Sequence, residues 1–107
     1  MDLSLLRSLM GDDEKLLNHF VTIFKAQAPK QIIMLSQLCE QDKWEDLSIA
    51  VHSLKTQFNY VGLSTFSERM RDMEKQIDLG ETGSIKQQIQ HFTDDFNEFW
   101  SIEFSTQ

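Results

Sequence analysis

The chain has 107 residues, which is enough for one hydrophobic core and too few for two domains. Seventeen acidic residues outnumber ten basic ones, so the formal net charge is −7, and the basic residues are scattered along the sequence. This distribution argues against nucleic-acid binding, which needs grouped lysine and arginine, and it disfavours docking on an anionic membrane.

No segment approaches the roughly 20 apolar residues of a membrane-spanning helix, so no membrane insertion is predicted. The N-terminus also lacks the basic and apolar regions of a signal peptide. The only cysteine, Cys39, cannot form an internal disulfide. Together these features predict a cytoplasmic protein, or a cytoplasmic piece of a larger one.

The spacing of apolar residues predicts helices throughout, because they recur every three or four positions and strand-like alternation is missing. A short first helix over residues 3–9 is predicted to stop at Gly11, and Asp12 and Asp13 to cap a long second helix. Pro29 should bend that second helix, because its ring removes one backbone donor. The predicted apolar face of the second helix is Leu17, Phe20, Phe24, Ala28, Ile32, Leu35 and Cys39.

Three pairs of residues have the spacing of a capping box, in which a polar side chain is followed three positions later by Glu or Gln. These pairs are predicted to open the third, fourth and fifth helices, and they are Asp42 with Glu45, Thr65 with Glu68, and Ser84 with Gln87. Gly62 is predicted to end the third helix in a left-handed conformation, and residues 80–83 to form a turn before the fifth.

The apolar faces of these three helices complete the fold prediction. They are Leu47, Val51, Leu54, Phe58 and Val61; Leu63, Phe66, Met70, Met73 and Ile77; and Ile85, Ile89, Phe92, Phe96 and Phe99. Four substantial amphipathic helices with short connections predict an antiparallel up-and-down four-helix bundle. The short extra N-terminal helix would cover one end, and residues 1–107 would form a single domain.

His52 lies beside the apolar face of the third helix and not on it, so its ring should be at least partly exposed. A lysine one turn away keeps a neutral imidazole favourable near pH 7 and would attract a dianionic group placed on the ring. This is the chemistry of a phosphoryl acceptor, although an inert surface histidine is the commoner explanation of such spacing alone. The residues that share this flank are Ser48, His52, Lys55, Thr56 and Asn59.

The pattern extends over two segments, the one that contains the histidine and one on the next helix. They are AVHSLKTQFNYVGL, at residues 50–63, and MRDMEKQ, at residues 70–76. They resemble the signature of histidine-containing phosphotransfer (HPt) domains, helical bundles that carry phosphate between receiver domains in two-component phosphorelays. That signature is a histidine, a lysine at plus three, usually a glycine at plus four, a glycine at plus ten, and often Glu or Gln at plus twenty-two. The corresponding residues here are His52, Lys55, Thr56, Gly62 and Glu74.

The likeness covers nearly the whole chain, because the N-terminal half is also similar to the family, including Ala-Pro in the long helix and Asp-x-Trp before the histidine helix. By this resemblance His52 would be the phosphoryl acceptor, and Lys55 a point charge beside the phosphoryl group. Glu74 would orient the ring through the nitrogen that does not attack.

Thr56 departs from the glycine usual in the family. It could crowd an approaching receiver, or its hydroxyl could donate a hydrogen bond to a phosphoryl oxygen. The candidates for contacting a partner are Ser48, Thr56 and Asn59, with Ile49 and Tyr60 as apolar contacts.

The resemblance implies a phosphocarrier without autokinase activity that shuttles a phosphoryl group between aspartates of response-regulator receiver domains. It would act as a free protein or as a domain of a hybrid sensor histidine kinase, and we expect a monomer. The sequence has no acidic cluster typical of a metal site and no Gly-rich phosphate loop. We therefore expect no cofactor, and the Mg²⁺ needed for transfer would belong to the receiver.

Two other classes of protein remain open. A non-catalytic helical adaptor or scaffold would bind through a groove between helices and would tolerate His52→Gln. A small helical enzyme with His52 as general base would need a concave pocket with convergent polar groups. His19 and His91 lack partners at metal-ligand spacing and are expected to be inert, and Cys39 is expected in the core.

Overall fold

A computed structural model of the protein describes residues 1–104. Within that range the chain forms five helices and no strand, which confirms the predicted all-α class. The last three residues of the predicted domain, 105–107, lie outside the described residues. The helices are α1 (Ser4–Met10), α2 (Glu14–Glu40), α3 (Trp44–Tyr60), α4 (Ser64–Asp78) and α5 (Ile85–Glu103).

The longest helix, α2, runs for 27 residues and continues through Pro29. It begins as predicted at Asp13, whose carboxylate accepts the backbone N–H of Leu16 at 3.1 Å. Proline removes only one hydrogen bond from the helix, and the turns on both sides remain intact. At about 1.5 Å per residue, α2 is therefore about 40 Å long, and its buried residues belong to the core.

The predicted capping boxes are wrong for α3 and α4. Their N-cap residues are Lys43 and Leu63, and neither makes a side-chain capping bond. Ser84 does precede α5, but its hydroxyl accepts a hydrogen bond from the Gln88 side chain at 2.8 Å. A capping box needs a free choice of backbone conformation before the helix, and the three-residue connections before α3 and α4 are too short to allow one.

Each of these connections is occupied by the ending of the preceding helix. The N–H of Lys43 bonds to the Leu38 carbonyl at 3.0 Å, and the N–H of Leu63 bonds to the Phe58 carbonyl at 2.9 Å. In both bonds the N–H lies five positions after the carbonyl, as in the Schellman motif that ends a helix. Asp42 takes the left-handed φ of 55° that such an end requires, so its side chain is not placed to cap α3.

Gly62 has the left-handed backbone predicted for it, with φ of 73°. The chain N-terminus packs against it: the Asp2 N–H bonds to the Val61 carbonyl at 2.9 Å, and a Cβ at position 62 would lie 2.5 Å from Asp2 atoms. Leu6 is the buried residue of α1. The first residues and α1 thus cover the end of the helical core where α3 meets α4.

The core lies where α2, α3, α4 and α5 meet, and Phe58 is at its centre. Its ring is fully buried and lies 5.5–6.1 Å, between ring centroids, from four other phenylalanines. These are Phe24 of α2, Phe66 of α4, and Phe92 and Phe96 of α5. The predicted apolar face of α3 is buried at every position, whereas Phe20, Leu63, Phe66 and Phe99 are only partly buried at the margins.

Side-chain pairs between neighbouring helices run in opposite order along the two helices. Rising residue numbers on one helix meet falling numbers on the next, at the α2–α3, α3–α4 and α4–α5 contacts. The pairs are Phe20 with Tyr60 and Gln31 with Gln57; Ser48 with Asp78 and His52 with Glu74; and Phe66 with Phe99 and Gln76 with Gln88.

Candidate functional site

The contact line between α3 and α4 places His52 on the outside of the protein. Its side chain is 59% exposed, as the helical spacing predicted, and its Nδ1 lies 2.8 Å from Oε2 of Glu74. A carboxylate can only accept, so this contact assigns the proton of a neutral ring to Nδ1. Nε2 is then the nitrogen that carries the available lone pair.

Glu74 holds two donors at once. Its Oε2 contacts His52, and its Oε1 accepts a hydrogen bond from Nζ of Lys55 at 2.8 Å. Partial burial alone would raise the pKa of Glu74, but the hydrogen bonds from Lys55 and His52 outweigh it and keep that pKa below its usual value. The structure therefore brings the predicted residues His52 and Lys55 together around the ionised carboxylate of Glu74, the third predicted residue.

Lys55 is held in place from both ends. Its ammonium contacts Glu74, and its backbone carbonyl accepts a hydrogen bond from the Ser67 hydroxyl of α4 at 3.0 Å. Only 26% of its side chain is exposed. Its charge lies one helical turn from the ring and is paired with a carboxylate.

The three predicted partner-contacting residues differ in their surroundings. Ser48 donates its hydroxyl to Asp78 at 2.6 Å and so belongs to the α3–α4 contact line. Thr56 donates to the backbone carbonyl of His52 at 3.2 Å, a bond common for threonine within a helix. Asn59 is exposed.

An open cleft of about 420 Å³ between α3 and α4 begins one turn beyond His52. Two cations face it, and one of them, Arg71, was missed by the sequence reasoning. Arg71 precedes Glu74 by three positions, so the helical spacing that pairs i with i+3 would have found it. The walls of the cleft include Lys55, Thr56, Asn59, Ser67, Glu68 and Arg71, and His52 is not among its lining residues.

An apolar groove of about 660 Å³ lies on the other side of α3, between it and α2. Met34 and Ile49 line it, and they are 48% and 65% exposed. Ile49 precedes His52 by three positions and so shares its face. Tyr60, the other predicted apolar contact, is partly buried against Phe20.

The remaining candidates lie away from this site. His19 and His91 are exposed, and within residues 1–104 no three His, Cys, Asp or Glu side chains are grouped so that they could hold a metal ion. Cys39 is in the core as predicted, and its burial raises the pKa of the thiol. Among the described helices, none is long and apolar enough to cross a membrane.

Comparison with protein-family models matches residues 19–101 to the Hpt domain. The match spans more than three quarters of the 107 residues and includes His52, Lys55 and Glu74. The chain therefore belongs to the Hpt domain family, which confirms the resemblance. Members of this family are phosphocarrier modules of two-component phosphorelays and interact with response-regulator receiver domains. Comparisons with curated proteins and with solved structures gave no match.

Proposed function

We propose that His52 accepts a phosphoryl group from the aspartyl phosphate of one receiver domain and passes it to the aspartate of another. One observation carries the proposal: an exposed imidazole is held through Nδ1 by a carboxylate 2.8 Å away. Such a contact fixes the ring and its tautomer, which leaves Nε2 as the nucleophile.

In the transfer, the lone pair of Nε2 forms a bond to phosphorus while the P–O bond of the acyl phosphate breaks. The electron pair of that bond leaves with the receiver carboxylate. Positive charge develops on the ring, and Glu74, which accepts from Nδ1–H, stabilises it as a buried carboxylate does in a catalytic triad. The reverse sequence returns the neutral ring, so the same atoms serve both directions.

Lys55 would supply positive charge to the phosphoryl oxygens. An ammonium has three donors, so Lys55 can keep its hydrogen bond to Glu74 and still offer another to phosphate. Charge on the transferred group is spread over its equatorial oxygens, and nearby cations stabilise it throughout the step.

The receiver would dock over the outer face of α3. Thr56 and Asn59 lie on one side of His52, and the apolar groove with Met34 and Ile49 lies on the other. Ser48 shares the flank, but its hydroxyl is already bonded to Asp78. An interface of this kind belongs at the small, transient end of protein contacts.

The wider proposal is a single domain over residues 1–107, built as an antiparallel up-and-down four-helix bundle with α1 as an extra helix. The opposite order of the interhelical pairs supports this arrangement. We propose a monomeric cytoplasmic phosphocarrier without autokinase activity or cofactor, with Mg²⁺ supplied by the receiver. Its partners would be receiver domains, either free or within a hybrid sensor histidine kinase.

The test is to mix the protein with phosphorylated receiver domains and Mg²⁺. We expect acid-labile, alkali-stable phosphate on His52, and none on a His52→Gln variant whose circular dichroism matches the wild type. A helical adaptor would instead remain unlabelled and keep its function in His52→Gln. That result would overturn the proposal.

A further inference from the structure

The charge around His52 changes sharply when a phosphoryl group arrives. In the unphosphorylated site the carboxylate of Glu74 is balanced by Lys55 and also contacts the ring of His52. A phosphoryl group adds about two negative charges near pH 7. Carboxylates of Glu68 and Asp78 also lie along this side of α4. Lys55 is already paired, so a second cation would stabilise the phosphorylated state.

Arg71 is placed to be that cation. It lies one helical turn before Glu74 and lines the same cleft as Lys55 and Thr56. Its side chain is exposed, and the cleft begins one turn from the acceptor ring.

The guanidinium of Arg71 also has its donors available. The sequence contains three arginines, of which Arg7 pairs with Glu14 and Arg69 with Asp95. Within residues 1–104, no carboxylate oxygen lies within 4.0 Å of Arg71. An unpaired arginine is notable in a chain where acids outnumber bases, and its planar fork matches the oxygens of a phosphoryl group.

We infer that Arg71 is a second phosphoryl-binding cation, whose guanidinium reaches from the cleft to the oxygens of the group carried on Nε2 of His52. The inference rests on the proposed function and assigns it a further residue. Arg71 exchanges no proton or electron in the step, in which the Nε2–P bond forms and the bond to the leaving group breaks. It stabilises the charge on the phosphoryl oxygens.

The test uses two phosphoryl donors. Phosphoramidate is small and needs no docking surface, and its P–N bond breaks as ammonia leaves, whereas a phosphorylated receiver must dock. We expect Arg71→Gln to slow labelling of His52 by both donors about three- to tenfold, the effect of one partly solvated charge. Arg71→Lys keeps the charge but loses the planar fork, so its rate should lie between those of the wild type and Arg71→Gln.

Two control variants separate this effect from general electrostatics. Lys86→Gln removes the same unit charge from an exposed position on α5 and should leave the rate unchanged. Glu68→Gln removes a negative charge from the same cleft and should not slow labelling. In NMR spectra of the wild type, the side-chain Nε–H signal of Arg71 should shift on phosphorylation, while that of Arg69 should not.

The outcomes distinguish the inference from the function on which it rests. Equal rates of labelling by phosphoramidate for the wild type and for Arg71→Gln would overturn the role of Arg71. Slowing with the receiver alone would also overturn it, and would make Arg71 a docking residue. Failure of the wild type to take phosphate from either donor would overturn the proposed function itself.

Discussion

Glu74 is the residue that joins the two halves of the candidate site. One oxygen holds His52 of α3 and the other holds Lys55, so a single carboxylate fixes both the ring and the nearest cation. Its side chain is only 19% exposed, which favours well-defined geometry over solvent-separated contacts. The amide of Gln could keep one of these contacts as an acceptor, but without the charge.

The lowered pKa of Glu74 makes its contribution to stability dependent on pH. Because the folded pKa lies below the unfolded value, ionised Glu74 stabilises the fold above the ordinary glutamate pKa of about 4.3, and this stabilisation is lost as pH falls through the folded pKa. We therefore expect wild type to exceed Glu74→Gln in free energy of unfolding at pH 7, and the difference to shrink below about pH 4.3.

Urea unfolding of both proteins between pH 7 and pH 3, at constant ionic strength, measures this difference. Glu68→Gln, an exposed position on the same helix, is the control for loss of a carboxylate. A difference between wild type and Glu74→Gln that stays constant over the whole range would contradict the prediction.

Ser48 was predicted to contact a partner, and its short hydrogen bond to Asp78 suggests a role in stability. We expect Ser48→Ala to lower the free energy of unfolding by about 0.5–1.5 kcal/mol, the usual net value of one hydrogen bond. Labelling of His52 by phosphoramidate should not change. A double-mutant cycle with Asp78→Ala measures the pairwise coupling, and a coupling energy near zero would refute the assignment.

The grouping of individual side chains was predictable only where the sequence carries a family signature, and the roles of these residues remain predictions. His52, Lys55 and Glu74 follow from the resemblance, and helical spacing predicted the exposure of the ring. The shared carboxylate, the Ser48–Asp78 bond and the position of Arg71 depend on how α3 and α4 are rotated against each other. Periodicity within one helix does not encode that rotation.

At the scale of helices and their connections, the short link between α3 and α4 has two constraints in one place. Gly62 must adopt a positive φ, and its α-carbon must also leave room for Asp2. Gly80, at the end of α4, has nearly the same φ of 76° but no atom within 4 Å of a would-be Cβ. A comparison of substitutions at the two glycines therefore separates the cost of backbone strain from the cost of a steric clash.

We expect Gly80→Ala to cost about 1–2 kcal/mol, the penalty of a left-handed conformation with a side chain. Gly62→Ala should cost more, because Asp2 must also move away. Denaturant unfolding of both variants gives the comparison. Equal costs would mean that the N-terminal segment yields freely and contributes little to covering this end of the core.

Helix interiors were predictable from the sequence, and so was the start of α2 at Asp13, whereas the starts of α3 and α4 were not. The apolar spacing identified every buried position of α3 in advance. The capping boxes failed at α3 and α4 because a three-residue connection is used by the end of the preceding helix, as the bonds to Leu38 and Phe58 show. Local sequence signals at a helix start lose their meaning when the preceding helix fixes the same backbone.

Over the whole molecule, α3 connects the outer site to the core through Phe58. This ring touches phenylalanines of three other helices, and it lies on the buried face of α3, beside the exposed flank that carries His52. We expect Phe58→Ala to lower the free energy of unfolding by about 3–5 kcal/mol, through lost burial and the cavity left behind.

Phe58→Leu is the matched variant, because it keeps most of the apolar volume and should cost clearly less. Thermal or urea unfolding measures both costs. A cost below about 1 kcal/mol for Phe58→Ala would mean that the other rings close the space, and that Phe58 does not hold the four helices together.

The outward position of His52 has a consequence for how the protein would behave among its partners. If His52 carries phosphate as proposed, its open helix face can receive both a receiver that brings phosphate and one that removes it. Such a carrier would work as a shared reservoir, and the net flow through it would follow mass action. Its occupancy would then report the balance between charged and empty receivers, and a change in either population would refill or drain it.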